Sequence, residues 1–316
     1  MSETASWERL PAIDAPIHRA QAPSTPLPRS TPDCHEGSTP DGRFWRIISA
    51  DAQCGIRTLP AKSIACIITS PPYYWQRGYE IDGQIGHEPT ITGYVTTLTD
   101  VFREARRVLA DDGVLFLNIG DTYYSAKGRP HGRDKKHNGR QMARRLLRAV
   151  DGPGLGLPRK SLIGIPWRVA LAMQEDGWTL RSAVIWHRPG TLPEPTAVDR
   201  PWRTTEHVFI FSKKPRYWFN RSELENQEDI WIIKARPDNP HSHFVPFPSE
   251  LVERCLACGC KPGGIVLDPF VGSGTTLLTA LRRGHSAIGI DLKAEYCSYV
   301  RDRIRSELPL TRPATE

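Results

Sequence analysis

The chain has 316 residues, enough for one large domain or two ordinary ones, and its 39% apolar content is enough for a substantial core. No apolar stretch approaches the roughly 18 residues of a membrane helix, and Met1–Leu10 lacks the basic-then-apolar order of a signal peptide, so no membrane partner is expected. A net charge of +7 admits a polyanionic partner without requiring one, and seven scattered cysteines argue for reduced thiols in a cytosolic enzyme rather than a disulfide framework.

Residues 1–42 are rich in Pro, Ser and Thr, and their prolines preclude a helix or a central strand. A disordered tail is expected there, with order beginning at Gly42. Arg43–Ser49 has strand character and leads to Asp51. Ile64–Thr69 is a nearly continuous apolar run, the pattern of a strand buried on both faces of a parallel sheet.

That run ends in Thr69-Ser70-Pro71-Pro72-Tyr73-Tyr74. Two prolines fix two φ angles and remove two N–H donors, so the turn offers carbonyls and the Ser70 hydroxyl at the carboxyl end of a strand. Acceptors beside aromatic plates suit a planar amine whose N–H groups are held and whose ring is stacked. The bland alternative is a proline-rich loop with surface tyrosines.

Val95, Leu98, Phe102, Ala105 and Leu109 recur at helical spacing over 94–109, Asp112-Gly113 breaks the pattern, and Val114–Ile119 is the next buried strand. Strand, helix, strand with short breaks is an α/β signature. Residues 123–160 differ: Lys127, Arg129, Arg133, Lys135, Lys136, Arg140, Arg144, Arg145, Arg148, Arg159 and Lys160 crowd there. The stretch is either a solvated insertion or a phosphate-binding loop.

A helix is expected over 161–175, strands over 178–187 and 206–212 with Tyr217-Trp218-Phe219 extending the second, and a helix over 248–258 after Phe247-Pro248. Cys255, Cys258 and Cys260, with His241 or His243, give a weak zinc pattern; small core residues in a helix explain the cysteines better. The final unit is strand 265–267, a glycine turn, helix 275–283, strand 287–290 and helix 294–305.

The glycine turn reads Asp268-Pro269-Phe270-Val271-Gly272-Ser273-Gly274-Thr275-Thr276. Glycines permit a sharp turn and close approach of a ligand, and the helix N-terminus adds free N–H groups. Asp291 ends the following strand, where an acid accepts from both ribose hydroxyls. The turn is neither a Walker A loop nor a full G-x-G-x-x-G. Asp268 would repel a pyrophosphate but tolerates a sulfonium cofactor with an amino-acid part.

Together the two motifs resemble those of the amino DNA methyltransferases, the N4-cytosine/N6-adenine group of restriction–modification and orphan enzymes, over residues 43–306. The resemblance implies a Rossmann-like class I methyltransferase: an α/β fold with a mixed, mostly parallel sheet, helices on both faces, and the circularly permuted motif order of the β group. Residues 307–316 would form a C-terminal tail. S-adenosylmethionine is the implied cofactor. By this resemblance Asp268, Pro269, Phe270, Gly272, Ser273, Gly274, Thr275 and Thr276 form the cofactor loop, Asp291 binds ribose, and Asp51 lies near the adenine. Phe247 and Pro248 close over the methionine end. Trp186 and Glu206 match looser motifs.

Ser70, Pro71, Pro72 and Tyr73 match the catalytic motif, and Ser at its first position implies cytosine N4. The expected reaction is methyl transfer to the amino group of a base flipped out of duplex DNA, with Ser70 and the Pro71 carbonyl orienting the nitrogen. Tyr73 would stack on the base, with Tyr74 or Trp186 as a second wall; for Trp186 plain core packing competes. C5-cytosine chemistry is disfavoured, since none of the seven cysteines follows a proline. N6-adenine methylation, a catalytically silent DNA-binding module, and an RNA or protein methyltransferase remain alternatives. Because the segment between Phe219 and Trp231 is short, the basic insertion 123–160, through Lys127, Arg129, Arg133, Lys135, Lys136 and Arg140, is expected to supply much of the DNA contact. A homodimer, a cognate restriction endonuclease and a prokaryotic cytosol or nucleoid location fit the resemblance.

Overall fold

The structure is a computed structural model. It describes residues 33–308 apart from 77, 79–80, 82, 129–147, 192–193, 195–196, 225 and 236–246. The described residues build one sheet between two helical layers.

In chain order the elements are β1 (Asp33–Ser38), β2 (Phe44–Ser49), α1 (Ala52–Arg57), β3 (Ile64–Thr69), α2 (Ile91–Val108), β4 (Leu109–Ile119), α3 (Ile165–Glu175), β5 (Thr179–His187), β6 (Thr205–Ser212), β7 (Ile230–Ile232), α4 (Ser249–Gly259), β8 (Ile265–Asp268), α5 (Thr275–Arg282), β9 (Ser286–Asp291) and α6 (Ala294–Glu307). The nine-stranded sheet runs β1-β2-β9-β8-β3-β4-β6-β5-β7. From β2 to β4 neighbouring strands are parallel, whereas β6 is antiparallel to both β4 and β5.

The apolar runs work because alternate residues serve opposite layers. Ile67, Leu115, Leu117, Phe209 and Phe211 face the core beneath α1, α2 and α3. Cys66, Ile68, Val114, Phe116, Val208 and Ile210 face the core beneath α4, α5 and α6. Shifting any central strand by one residue would exchange the two sets.

The sheet order also locates a crevice. After β8 the chain crosses to β9; after β3 it crosses to β4, on the other side. The β8–β3 boundary is therefore a topological switch point, where open α/β sheets bind ligands at the carboxyl ends of their strands. Pairing of Cys66 with Val266 and of Ile67 with Leu267 brings the ends of these two strands together.

Two expectations change. The tail does not extend to residue 42: Asp33–Ser38 pairs antiparallel with β2 from Asp33↔Ser49 to Ser38↔Phe44. Pro32 and Pro40 flank this edge strand instead of interrupting it, and the Trp45 indole packs where a Gly37 side chain would stand, 2.6 Å from an added Cβ. Residues 1–32 and 309–316 lie outside the described residues. Tyr217-Trp218-Phe219 does not extend β6, whose ladders to both neighbours end at Ser212; Pro215 cannot donate to a ladder, and Tyr217 and Phe219 pack on the second core instead. The interval 219–231 ends in β7, which adds a parallel edge to β5. Among the described residues no helix is long and apolar enough to cross a membrane.

Candidate active site

A cavity of about 370 Å³ opens at the carboxyl ends of the central strands, at the switch point. It is of small-molecule size. Both singled-out motifs line it, and each is built differently.

The Ser-Pro-Pro-Tyr turn is held by side chains. Tyr94 on α2 donates from its hydroxyl to the Pro72 carbonyl at 2.8 Å, fixing the turn from below. Ser70 Oγ donates to Tyr73 Oη at 3.3 Å, and Tyr73 Oη donates to Glu206 Oε2 at 2.7 Å. Asn118 Nδ2 donates to the same carboxylate oxygen at 3.0 Å, and Arg188 Nη1 reaches Glu206 Oε1 at 2.6 Å. Burial, and then the neighbouring Glu206 carboxylate, push the Tyr73 phenol well above its usual 10, so it keeps its proton. The chain of hydrogen bonds therefore has a direction: Ser70 to Tyr73 to Glu206. The Ser70 proton points away along it, which leaves the oxygen lone pairs free to accept from a substrate N–H.

The glycine turn is held by carboxylates and backbone. Asp268 Oδ1 accepts from Thr69 Oγ1 at 2.6 Å and from Phe270 N at 3.1 Å, and its Oδ2 accepts from Thr276 Oγ1 at 2.6 Å. Thr69 is 199 residues away in sequence, so Asp268 ties the end of β3 to the glycine turn. Asp291 Oδ2 accepts from Gly272 N at 3.0 Å and Oδ1 from Lys293 N at 2.9 Å. Burial pushes both Asp268 and Asp291 up to about 6. Asp51 caps α1 by accepting from Cys54 N at 3.1 Å.

Asp51, Ser70, Pro71, Pro72, Tyr73, Trp186 and Phe247 line the cavity, as do Asp268, Pro269, Phe270, Gly272, Ser273, Thr275, Thr276 and Asp291. Three expectations differ. Tyr74 is no wall of the cavity: it is fully buried, its ring centroid 5.2 Å from that of Tyr94. Gly274 is absent from the lining; it caps α5 at φ 82°, and an added Cβ would lie 2.6 Å from Val300 on α6. Its task is close packing of turn against helix. Pro248 likewise caps α4 beside the lining residue Phe247 rather than facing the cavity. Trp186 takes both suggested roles: it is buried, donates from Nε1 to Ile233 O at 2.9 Å, and still contributes to the lining.

Asn118, Arg188 and Lys293 also line the cavity, and sequence reading missed them. Asn118 had a signal, as the lone polar residue in the apolar run Val114–Ile119. Arg188 had a weaker one, a charge just beyond a strand end.

The basic insertion is only partly described. Arg129, Arg133, Lys135, Lys136 and Arg140 lie outside the described residues, as do Arg144 and Arg145. The stems are folded: Ser125 N donates to Val150 O at 2.8 Å, and Tyr124 Oη donates to Gly152 O at 2.9 Å. Lys127 is exposed at the end of one stem. Arg148 is structural, bonded at 2.6 Å to the buried Asp151. Cys255, Cys258 and Cys260 are core residues, with Cys260 Sγ 3.5 Å from His285 Nδ1; His241 and His243 lie outside the described residues.

Comparison with known proteins agrees with this geometry. The N6/N4 DNA methylase family matches residues 64–302. The type II methyltransferase M.SmaI of Serratia marcescens is 39% identical over 285 residues, covering 87% of this chain and 94% of its own length. M.Cfr9I of Citrobacter freundii is 40% identical over 270 residues, covering 83% and 88%. Among solved structures, the PvuII DNA methyltransferase (cytosine-N4-specific) superposes with a TM-score of 0.63 at 22% identity, over 85% of this chain and 90% of that one. A Thermus thermophilus DNA modification methylase in complex with S-adenosyl-L-methionine gives a TM-score of 0.57 at 24% identity, over 82% and 93%. These two show the fold.

The cavity fits that cofactor: of two buried carboxylates of raised pKa, Asp268 accepts only from hydroxyl and backbone donors and Asp291 from backbone N–H groups with the Lys293 charge nearby, and a sulfonium and ribose hydroxyls would add charge and donors to such a pair. The chain belongs to the N6/N4 DNA methylase family and is an S-adenosylmethionine-dependent DNA methyltransferase.

Proposed function

We propose that the enzyme methylates the exocyclic N4 amino group of a cytosine flipped out of duplex DNA. The observation that carries this reading is the directed chain Ser70 to Tyr73 to Glu206, which ends in an acceptor oxygen at Ser70 inside the cavity. A serine at the head of the motif favours cytosine N4. Family membership leaves the base open: the DNA adenine methyltransferase YhdJ of Escherichia coli is 26% identical over 253 residues.

S-adenosylmethionine supplies an electrophilic methyl group when bound. Asp291 would hold the ribose hydroxyls, Asp51 would lie near the adenine, and Phe247 and Phe270 would pack against the methionine end. The protein's work on the amine is orientation. Cytosine N4 is a poor nucleophile because its lone pair is delocalised into the ring. Acceptance of an N4–H by Ser70 and of the second by the Pro71 carbonyl favours a more tetrahedral nitrogen and aims its lone pair. Those oxygens also face the positive charge that grows on nitrogen. Tyr73 packs against Gly120, where an added Cβ would lie 2.5 Å from its Cε2, and its ring would stack on the base. The exposed Lys127 and its neighbours in the insertion would meet the phosphates. As its relatives are named type II methyltransferases, the reading extends to a cognate restriction endonuclease with the same site.

Incubation of duplex DNA with enzyme and methyl-labelled cofactor, followed by digestion to nucleosides, tests the base. N4-methylcytosine is expected. N6-methyladenine as the sole product would overturn the reading.

A further inference from the structure

We propose that Arg188 reads the target base, its guanidinium donating to the ring nitrogen and the carbonyl oxygen that follow the amino group held at Ser70. The inference rests on the N4-cytosine reading and gives that reading its selectivity.

Six side chains converge on the catalytic end of the cavity: Ser70, Tyr73, Asn118, Trp186, Arg188 and Glu206. Their donors are nearly all committed. Ser70 gives its proton to Tyr73 and Tyr73 to Glu206. Asn118 Nδ2 gives one hydrogen to Glu206 at 3.0 Å and one to His207 O at 3.2 Å. Trp186 Nε1 donates to Ile233 O. Glu206 carries no donor when ionised. Arg188 remains. Of its five N–H groups, one is taken by Glu206 at 2.6 Å, and its Nε is shielded from solvent with no partner among the described residues. The residue lines the cavity, and among the described residues its guanidinium has no hydrogen-bond partner beyond Glu206; an incoming base brings acceptors for the N–H groups that remain.

The side chain is placed for this. The Arg188 backbone N donates to Thr204 O at 2.8 Å where the β5–β6 connection leaves the sheet. Glu206 restrains the guanidinium from one side, and the Trp186 ring centroid lies 5.7 Å from Arg188 Cζ. Beside its amino group cytosine presents N3 and then O2, two acceptors along one edge. Adenine presents N1 and then a C–H. A planar fork satisfies the first edge twice and the second once. Selection thus follows from the second acceptor, which Ser70 alone does not sense.

The test uses full-length protein and duplexes containing the methylation site, located by modified-base sequencing, with the target position mismatched and carrying cytosine, adenine or an abasic residue. Wild type is expected to bind the cytosine duplex about tenfold or more tighter than the adenine duplex, as loss of one charged hydrogen bond implies. In Arg188→Lys, which keeps a cation for Glu206 but loses the fork, and in Arg188→Gln, the ratio should shrink to about threefold or less, with cofactor affinity held; Arg188→Gln, which takes the cation from the largely buried Glu206, should also melt a few degrees lower. A preference for cytosine that survives in both variants overturns the inference alone. A wild-type preference for adenine, with N6-methyladenine as product, overturns the base assignment and the inference with it. Should neither variant bind cofactor, wild type is measured on a target C-linked 2-aminopyridine nucleoside, which keeps the amino group and the ring nitrogen beside it but lacks the O2 carbonyl. Binding should weaken about tenfold; undiminished binding overturns the inference.

Discussion

The two ends of the cavity reach order by opposite means. At the catalytic end, side chains bond to side chains, from Ser70 through Tyr73 and Glu206 to Arg188, and an ion pair closes the chain. At the cofactor end, Asp291 is held by backbone N–H groups and Asp268 by two hydroxyls and one N–H. The first arrangement fixes direction: which oxygen accepts, and where each proton points. The second stores electrostatic need, because burial leaves both acids reluctant to ionise. On the proposed reading an amine is to be aimed and a cationic cofactor attracted, and the two arrangements suit those two tasks.

The sharpest way to break this contrast is Ser70→Ala. Removing one preorganised acceptor should lower kcat by about a hundredfold to a thousandfold. Cofactor affinity, set at the other end, should change by less than about twofold, as calorimetry would show. Equal losses in both would mean that the two ends are not separable.

Asp268→Ala attacks the joint between them. It leaves the buried hydroxyls of Thr69 and Thr276 without their acceptor. A cost of about 2–4 kcal/mol is expected, lowering the melting temperature by roughly 5–10 °C. Unlike Ser70→Ala, it should weaken cofactor binding and slow methyl transfer together. A variant that loses one and keeps the other would show that Asp268 serves only that end.

A pH series sharpens the cofactor half. The folded pKa values of Asp268 and Asp291 stand at about 6, above the ordinary 3.8. Between those values the folded chain holds protons that the unfolded chain has released, so the empty protein loses stability as pH rises through that window. Cofactor binding selects the ionised acids and runs the other way. Affinity should be full above about pH 7 and fall roughly tenfold per unit below pH 6 for each acid that must ionise. A dissociation constant flat from pH 5 to pH 8 would remove these acids from the binding site.

Much of the fold was legible because the central strands are buried on both faces. Such strands need continuous apolar runs, and 64–69 and 114–119 announce themselves. The edges did not: β1 has mostly polar residues, and β7 is three residues long. Neither buries two faces, so neither carries the pattern. The site was legible where chemistry dictates residue type, as at Ser70, Asp268 and Asp291. It was not legible where position in the sheet decides. Tyr74 and Gly274 sit inside the motifs yet serve packing. Arg188 and Asn118 lie far from the motifs in sequence, and strand pairing brings them in: Thr69↔Leu117 carries Asn118 to the end of β3, Asn118↔Val208 joins β6 to it, and Trp186↔Glu206 adds the strand that leads to Arg188.

The smallest expected effect concerns two cations of the insertion that look alike in sequence. Arg148 bonds a buried acid, so its task is to close the stem. Lys127 is exposed beyond that stem. Each phosphate contact contributes about 0.9 to the slope of log affinity against log salt. Lys127→Ala should therefore flatten that slope by about one contact, with little loss of stability. Arg148→Ala should leave Asp151 short of a partner, lowering the melting temperature by a few degrees, roughly 2–6 °C, while the salt slope per folded molecule holds. Salt titrations of duplex binding by the two variants, read beside their melting curves, separate the roles. A Lys127→Ala slope equal to wild type would place the duplex away from this end of the insertion, and a flattened slope in a fully stable Arg148→Ala would return Arg148 to the phosphates.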